Sequence, residues 1–208
     1  MSRAPVLRAS RRTVVLAAAV LTGVLLTVVL VAGWATGGSS NVSDVDGSHG
    51  AVLYAAGHRP VAPDFTGTTL TGSQLSFSSY RGRVVVLNFW GSWCVPCREE
   101  ASTLAAVAAL YRSSGVAFLG VDVRDTTASA AAFARSFGIT YPSVSDQSSA
   151  ITLDFTAVGV PIAGTPTTLV IDRTGHIAGA VFGATTYPVL TTILAKVTGK
   201  TAAAVVSR

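Results

Sequence analysis

"VVVLNFWGSWCVPCREE", residues 84–100, is the stretch that decides the fold. Its first half is apolar without alternation, which predicts a strand buried on both faces. A short loop, Gly91–Trp93, follows. Pro96 then predicts the start of a helix, because a proline in the first turn has no N–H to lose. The stretch therefore predicts a strand, a loop and a helix, with the chain's two cysteines, Cys94 and Cys97, at the helix start.

The start of a helix is a favourable place for an ionised Cys94. Backbone N–H groups and the positive end of the helix dipole point at its sulfur, so we expect the pKa of this thiol below its usual value of about 8.5. Cys97 follows one helical turn later, which predicts a Cα–Cα distance of about 5–6 Å, within the range of a disulfide. We expect Cys94 to be the nucleophile and Cys97 to attack the mixed disulfide that Cys94 forms.

Other interpretations of the cysteine pair fit the sequence less well. A pair of free core thiols is one structural alternative, and a static disulfide is another, but a disulfide across two residues closes too small a loop to add much stability. A zinc site requires further ligands, and inside the domain the sequence offers His176, in a predicted turn. Haem attachment requires a histidine directly after Cys97, where Arg98 stands. Redox chemistry is the interpretation that we adopt.

The rest of the chain from Pro60 onward predicts an α/β domain. Alternating strands and helices, followed by a hairpin and a helix, indicate a mixed central sheet with helices on both faces. The predicted elements are a hairpin over 64–77, a buried strand over 115–123, helices over 127–138 and 151–158, a hairpin formed by 165–172 and 176–183, and a terminal helix over 188–199.

The N-terminal part of the chain predicts a membrane segment. Residues 1–12 are basic, residues 13–35 contain no charge and no proline, and residues 36–59 have the Gly-, Ser- and Asp-rich composition of a flexible linker. About 20 apolar residues span a bilayer, so we expect an uncleaved transmembrane anchor with a cytoplasmic N-terminus; a cleaved signal peptide that releases a secreted domain is the alternative. The catalytic domain, 60–199, and a tail, 200–208, then lie outside the cytoplasm.

The chain carries 15 Lys and Arg residues against 10 Asp and Glu residues, for a formal net charge of +5. Much of that excess lies in residues 1–12, and the body of the chain has no basic stripe with interleaved aromatic residues. The composition therefore does not predict nucleic-acid binding.

Residues 60–199 resemble a known family. "VVVLNFWGSWCVPCREE" and "GTPTTLVIDRTGHI", residues 164–177, resemble the thioredoxin-like proteins, in particular the membrane-tethered extracytoplasmic thiol:disulfide oxidoreductases of the TlpA/ResA type. The resemblance implies a thioredoxin-like fold in which Pro166 is a cis proline beside the disulfide. It also implies that Thr165 offers backbone groups to an extended substrate segment.

The same resemblance assigns roles near the cysteines. Cytoplasmic thioredoxins have a buried aspartate six residues before the first cysteine, where this chain has Asn88. ResA-like proteins have a glutamate three residues after the second cysteine, which implies that Glu100 handles the proton of Cys97. We expect Trp93 and Pro96 to contact the substrate, and Arg98 to be a solvated charge beside the site.

The resemblance also implies partners. Electrons would come from a membrane thiol reductase of the DsbD/CcdA type and pass to the disulfide of apocytochrome c, with no cofactor besides the Cys94–Cys97 disulfide and no metal. An oxidase or isomerase of secreted proteins is the alternative within the same chemistry. Peroxiredoxins have a threonine three residues before the reactive cysteine, where Gly91 stands here. Copper-delivery proteins on this scaffold, the alternative from a different class, separate their cysteines by three residues and add a histidine ligand.

Overall fold

The apolar run Val84–Trp90 forms the central strand that the sequence predicts, and all of its residues are buried. The structure, a computed structural model, describes residues 42–46, 50–162 and 164–206. The strands are β1 (Val42–Asp46), β2 (Ala51–Tyr54), β3 (Thr66–Thr68), β4 (Gln74–Ser76), β5 (Val84–Trp90), β6 (Val116–Val123), β7 (Ser143–Asp146), β8 (Thr167–Ile171) and β9 (Ile177–Phe182). The α-helices are α1 (Val95–Tyr111), α2 (Thr127–Ser136), α3 (Ala150–Ala157), α4 (Tyr187–Thr198) and α5 (Ala202–Val206).

Seven of these strands form one mixed sheet in the order β1-β2-β9-β8-β5-β6-β7. Strands β5, β6 and β7 are parallel, whereas β8 is antiparallel to both β5 and β9. Helix α1 connects β5 to β6, and α2 connects β6 to β7. Strands β3 and β4 form a separate hairpin, as the sequence predicts. The mixed sheet of the predicted thioredoxin-like fold is therefore confirmed.

Both faces of the sheet are covered, and the alternation of side chains along β5 decides which residue faces which helix. Leu87 and Phe89 pack in one core cluster with Phe155 of α3. Val86 packs in the opposite cluster with residues of α1 and α4. Because side chains alternate along a strand, Asn88 and Trp90 lie on the α1 side.

The predicted flexible linker, residues 36–59, contains two strands in the structure. Strand β1 pairs with β2, and β2 pairs antiparallel with β9, with Ala51 opposite Val181. Ala51 is fully buried. The sequence does not predict the short strand Ala51–Tyr54, because four residues between glycine-containing segments carry little periodicity. It forms a strand because β9 would otherwise leave its backbone groups unpaired.

The tail predicted over 200–208 is also partly structured. Helix α5 packs against α1 and buries Val205. The compact domain therefore extends beyond the predicted boundary at residue 199.

The predicted anchor, residues 13–35, and the basic residues before it lie outside the described residues. Within the described ranges, no helix is both long enough and apolar enough to cross a bilayer.

Candidate redox site

Cys94 and Cys97 form a disulfide at the start of α1. The S–S distance is 2.07 Å and the Cα–Cα distance is 5.3 Å, within the predicted range. Cys94 has extended backbone angles and caps the helix, with Pro96 in the first turn. The backbone N–H of Cys97 donates a hydrogen bond to Cys94 Sγ at 3.2 Å. A helix-terminal amide therefore points at the sulfur of Cys94, as the sequence predicts.

An apolar rim surrounds the disulfide. Both cysteines are buried, but Trp93 on one side is 55% exposed and Val95 on the other is 66% exposed. Pro96 is exposed as well, whereas Trp90 is buried in the core as predicted. Apolar side chains at this exposure next to a reactive pair indicate a surface that meets another molecule.

The loop before Cys94 is held from two sides. The N–H of Ser92 donates to Asp125 Oδ2 at 2.7 Å, and its carbonyl oxygen accepts from Arg98 Nη2 at 2.8 Å. The indole N–H of Trp93 donates to the carbonyl oxygen of Val123 at 3.0 Å. Arg98 is exposed, as predicted for a solvated charge, and its guanidinium also holds this loop. The end of β6 and the segment after it fix the loop that carries Trp93.

Gly91 allows the indole to fold back onto the loop. A Cβ at this position would lie 2.6 Å from Trp93 Nε1, closer than any real contact of that kind. The carbonyl oxygen of Gly91 accepts a hydrogen bond from the N–H of Cys94 at 3.1 Å. A side chain at residue 91 would therefore displace Trp93.

Glu100 lies on α1 one turn after Cys97 and is 1% exposed. Its Oε1 accepts from Asn88 Nδ2 at 2.8 Å, and its Oε2 accepts from the N–H of Thr185 at 2.8 Å. Burial raises the pKa of Glu100 to about 7, although the two hydrogen bonds favour the ionised form. The carboxyl group therefore changes its protonation state near neutral pH.

A second buried carboxyl, Asp122, was missed by the sequence analysis. It is fully buried on β6 opposite Trp90. Burial and then the charge of Asp125 raise the pKa of Asp122 to about 7. An aspartate inside an otherwise apolar strand was the signal that could have found it.

The bond between Thr165 and Pro166 is cis, as the resemblance implies. Because Thr167 pairs with Phe89, these two residues lie at the end of the sheet where β5 leads into the cysteine loop. The structure therefore brings Pro166 and Thr165 to the redox end of the domain.

His176 lies at the opposite end of the sheet, in the turn between β8 and β9, where its Nδ1 is 2.8 Å from Thr174 Oγ1. This separates the imidazole from the cysteine pair. Within the described residues, no group of three or more His, Cys, Asp or Glu side chains is placed to hold a metal ion.

A mixed sheet, a disulfide at the start of the helix after its central strand, and a cis proline at the same end are the features of thioredoxin-like oxidoreductases. The sequence comparisons agree with this class. Residues 59–180 match the AhpC/TSA family. The thiol-disulfide oxidoreductase ResA of Geobacillus kaustophilus is 39% identical over 125 residues, which cover 60% of this chain and 69% of that protein.

Solved structures similar to this chain also include thiol-disulfide exchange proteins. A secreted thiol-disulfide isomerase from Corynebacterium glutamicum is 29% identical with a TM-score of 0.67, and the match covers 79% of this chain and 100% of that one. A DsbF homologue from Corynebacterium diphtheriae is 32% identical with a TM-score of 0.62, and the match covers 74% of this chain and 97% of that one. The chain belongs to the AhpC/TSA family and is a thiol-disulfide oxidoreductase of the ResA type.

Proposed function

We propose that this enzyme reduces disulfide bonds of proteins outside the cytoplasm, with Cys94 as nucleophile and Cys97 as resolving cysteine. The observation that carries the proposal is the disulfide at the N-terminus of α1, with an amide directed at Cys94 Sγ and an apolar rim around it. The Cys94–Cys97 pair is itself the electron carrier in this proposal, with no separate cofactor.

The reaction begins from the reduced enzyme. The Cys94 thiolate attacks one sulfur of the substrate disulfide, and the other sulfur leaves as a thiolate that takes up a proton. The Cys97 thiolate then attacks Cys94 Sγ, which breaks the mixed disulfide and releases the second substrate sulfur. Two electrons pass to the substrate, and the enzyme is left with its own disulfide.

Glu100 is proposed to accept the proton of Cys97 before the second attack. It lies one turn from Cys97, it is buried, and the pKa of its carboxyl group is raised to about 7. A base with a pKa near the working pH is effective in proton transfer.

The substrate is proposed to lie across the apolar rim as an extended segment. Trp93 and Pro96 provide apolar contact, and the backbone of Thr165 next to Pro166 provides hydrogen-bonding groups at the same end of the sheet. An unfolded or extended chain offers both kinds of group, so we propose a flexible polypeptide as the substrate class.

The resemblance to the TlpA/ResA type supports a more specific role in cytochrome c biogenesis. In this role, a membrane thiol reductase of the DsbD/CcdA type supplies electrons to the enzyme, and the disulfide of apocytochrome c receives them. The apolar residues 13–35 support a membrane-anchored enzyme with its catalytic domain outside the cytoplasm. Anchoring would raise the local concentration of the enzyme near membrane-bound partners.

A specific observation also favours a second function, the oxidation or isomerisation of secreted proteins. One similar structure is that of a secreted thiol-disulfide isomerase. The reduction potential distinguishes the two, because about 30 mV corresponds to roughly 1.4 kcal/mol for a two-electron couple. A strongly reducing potential supports the cytochrome role, and an oxidising potential supports disulfide formation.

Capture of substrates with the Cys97→Ser variant tests the proposal. Without Cys97 the mixed disulfide at Cys94 persists, so protein partners should appear as thiol-sensitive adducts. The Cys94→Ser variant is the control and should capture none. Equal capture by both variants, or none by either, would contradict disulfide exchange through Cys94.

A further inference from the structure

Asn88 occupies the centre of the buried polar cluster next to Glu100. It lies on β5 facing α1 and is 3% exposed. Its Nδ2 donates two hydrogen bonds, one to Glu100 Oε1 at 2.8 Å and one to Thr168 Oγ1 at 3.0 Å. Both partners thus receive a hydrogen from the same nitrogen, which is the arrangement that an ionised Glu100 requires.

A protonated Glu100 requires the opposite arrangement. Its hydroxyl group is a donor, so an N–H directed at that oxygen would no longer match it. A carboxamide carries an acceptor and a donor related by half a turn about its terminal bond, and a threonine hydroxyl either donates or accepts. Asn88 and Thr168 therefore have a second arrangement available, in which Asn88 Oδ1 accepts from Glu100 and from Thr168.

We infer that Asn88 is a positioning residue that turns its carboxamide as Glu100 gains or loses the proton of Cys97. The inference rests on the proposed function of Glu100. Asn88 is the residue that keeps the buried carboxyl group of Glu100 hydrogen-bonded in both its ionised and its protonated form. The N–H of Thr185 donates to the other carboxyl oxygen throughout. An aspartate at residue 88 would provide no donor to an ionised Glu100 and would place a second negative charge beside it.

Among the side chains hydrogen-bonded to Asn88, Glu100 is the one that titrates. On its own helix Cys97 exchanges the proton with it. From the segment before β7, Tyr141 interacts electrostatically with Glu100, and burial raises the pKa of that phenol far above neutral. Thr168 and Thr185 do not ionise. The proton therefore moves between Cys97 and Glu100, and the carboxamide of Asn88 turns when Glu100 changes its protonation state.

Nuclear magnetic resonance of the wild-type, full-length protein tests the inference without any substitution. The scalar coupling across the hydrogen bond between Asn88 Nδ2 and the Glu100 carboxyl carbon should be present above the titration midpoint of Glu100 and lost below it. A coupling that persists on both sides of the midpoint would overturn the inference. This measurement does not depend on disulfide exchange, so its failure is distinguishable from failure of the proposed function.

The Asn88→Leu variant provides a second test, with Thr167→Val as the matched control. Thr167 is buried on the same strand as Thr168, but its hydroxyl donates to the carbonyl oxygen of Gly164 instead. Loss of the amide should move the midpoint of Glu100 upward by about one pH unit, which makes resolution by Cys97 about tenfold slower below that midpoint. The rate well above the midpoint should recover. A uniform loss of rate at every pH, or an equal shift in the control, would overturn the inference.

Discussion

Burial raises the pKa of Glu100 to about 7, so the fraction of Glu100 that is ionised changes steeply around neutral pH. The ionised form accepts the proton of Cys97, and the rate of resolution should therefore rise with pH through this range. In the Glu100→Gln variant the inflection near pH 7 should be lost, because the thiolate of Cys97 then forms only by direct ionisation of the thiol. Resolution at pH 8 should slow about 100-fold, the usual effect of removing a general base. Stopped-flow measurement of mixed-disulfide decay against pH gives the profile.

The adjacent Glu99→Gln variant is the control, because Glu99 is exposed on the same turn of α1. It should keep the wild-type profile. A Glu100→Gln profile that matches the wild type would show that another group accepts the proton.

At the residue scale, the sequence predicted the groups that neighbour each other along the chain. Cys94, Cys97 and Glu100 lie within seven positions, so helical spacing alone relates them. The groups that hydrogen-bond to the Glu100 carboxyl group are distant in the sequence, since Asn88 lies 12 positions away and Thr185 lies 85 positions away. Contacts of this kind depend on the arrangement of β5, α1 and the segment after β9, which no local pattern contains.

At the scale of elements, the segment between β6 and α2 fixes the active-site loop through Asp125. In the Asp125→Ala variant the N–H groups of Ser92 and Thr126 both lose their acceptor. We expect the free energy of unfolding to fall by about 1–3 kcal/mol, the usual effect of unpaired donors, and KM to rise because Trp93 is less firmly placed. Urea denaturation and steady-state kinetics measure the two effects.

Asp154→Ala removes an exposed carboxylate from α3 and is the matched control. It should change neither quantity. An Asp125→Ala variant with unchanged stability and KM would mean that the loop keeps its position without this contact.

The sheet also depends on a close approach at Gly120 of β6, which pairs with Asn88. A Cβ at residue 120 would lie 2.6 Å from Trp90 Nε1 and would overlap Ser143 Oγ. Gly120→Ala should therefore destabilise the domain by about 1–3 kcal/mol, as overpacking of a core does. Thermal denaturation should show this loss, whereas Gly57→Ala, in open surroundings, should leave the melting temperature nearly unchanged. Equal melting temperatures for the two variants would contradict this packing.

Elements were predictable where their signals are local. Strand β5 is a continuous apolar run, and Pro96 marks the start of α1, so both were predicted close to their observed bounds. The composition around β2 predicts a flexible linker, and no pattern in the sequence predicts the short strand β7. Both form because a neighbouring strand, β9 or β6, offers unpaired backbone groups, which is a property of the sheet rather than of the segment.

At the scale of the whole molecule, carboxyl groups couple stability to pH in two directions. Burial opposes ionisation of Asp172, but hydrogen bonds from Thr174, Arg59 and His176 lower its pKa, so its contribution to stability is lost as the pH falls below about 4. Glu100 and Asp122 have pKa values raised to about 7. They bind more protons in the folded than in the unfolded state between about pH 4 and 7, so stability falls as the pH rises through that window.

The oxidised protein should therefore be less stable at pH 8.5 than at pH 5, by at most on the order of 3 kcal/mol for each carboxyl group whose pKa is raised. Urea denaturation at the two pH values measures the difference. Asp122→Asn keeps the shape of the side chain without its charge, so it should reduce the difference by the share that Asp122 contributes. Asp154→Asn, on the surface of α3, should leave it unchanged. A wild-type protein that is more stable at pH 8.5 than at pH 5 would show that these two carboxyl groups ionise in the folded state as they do in water.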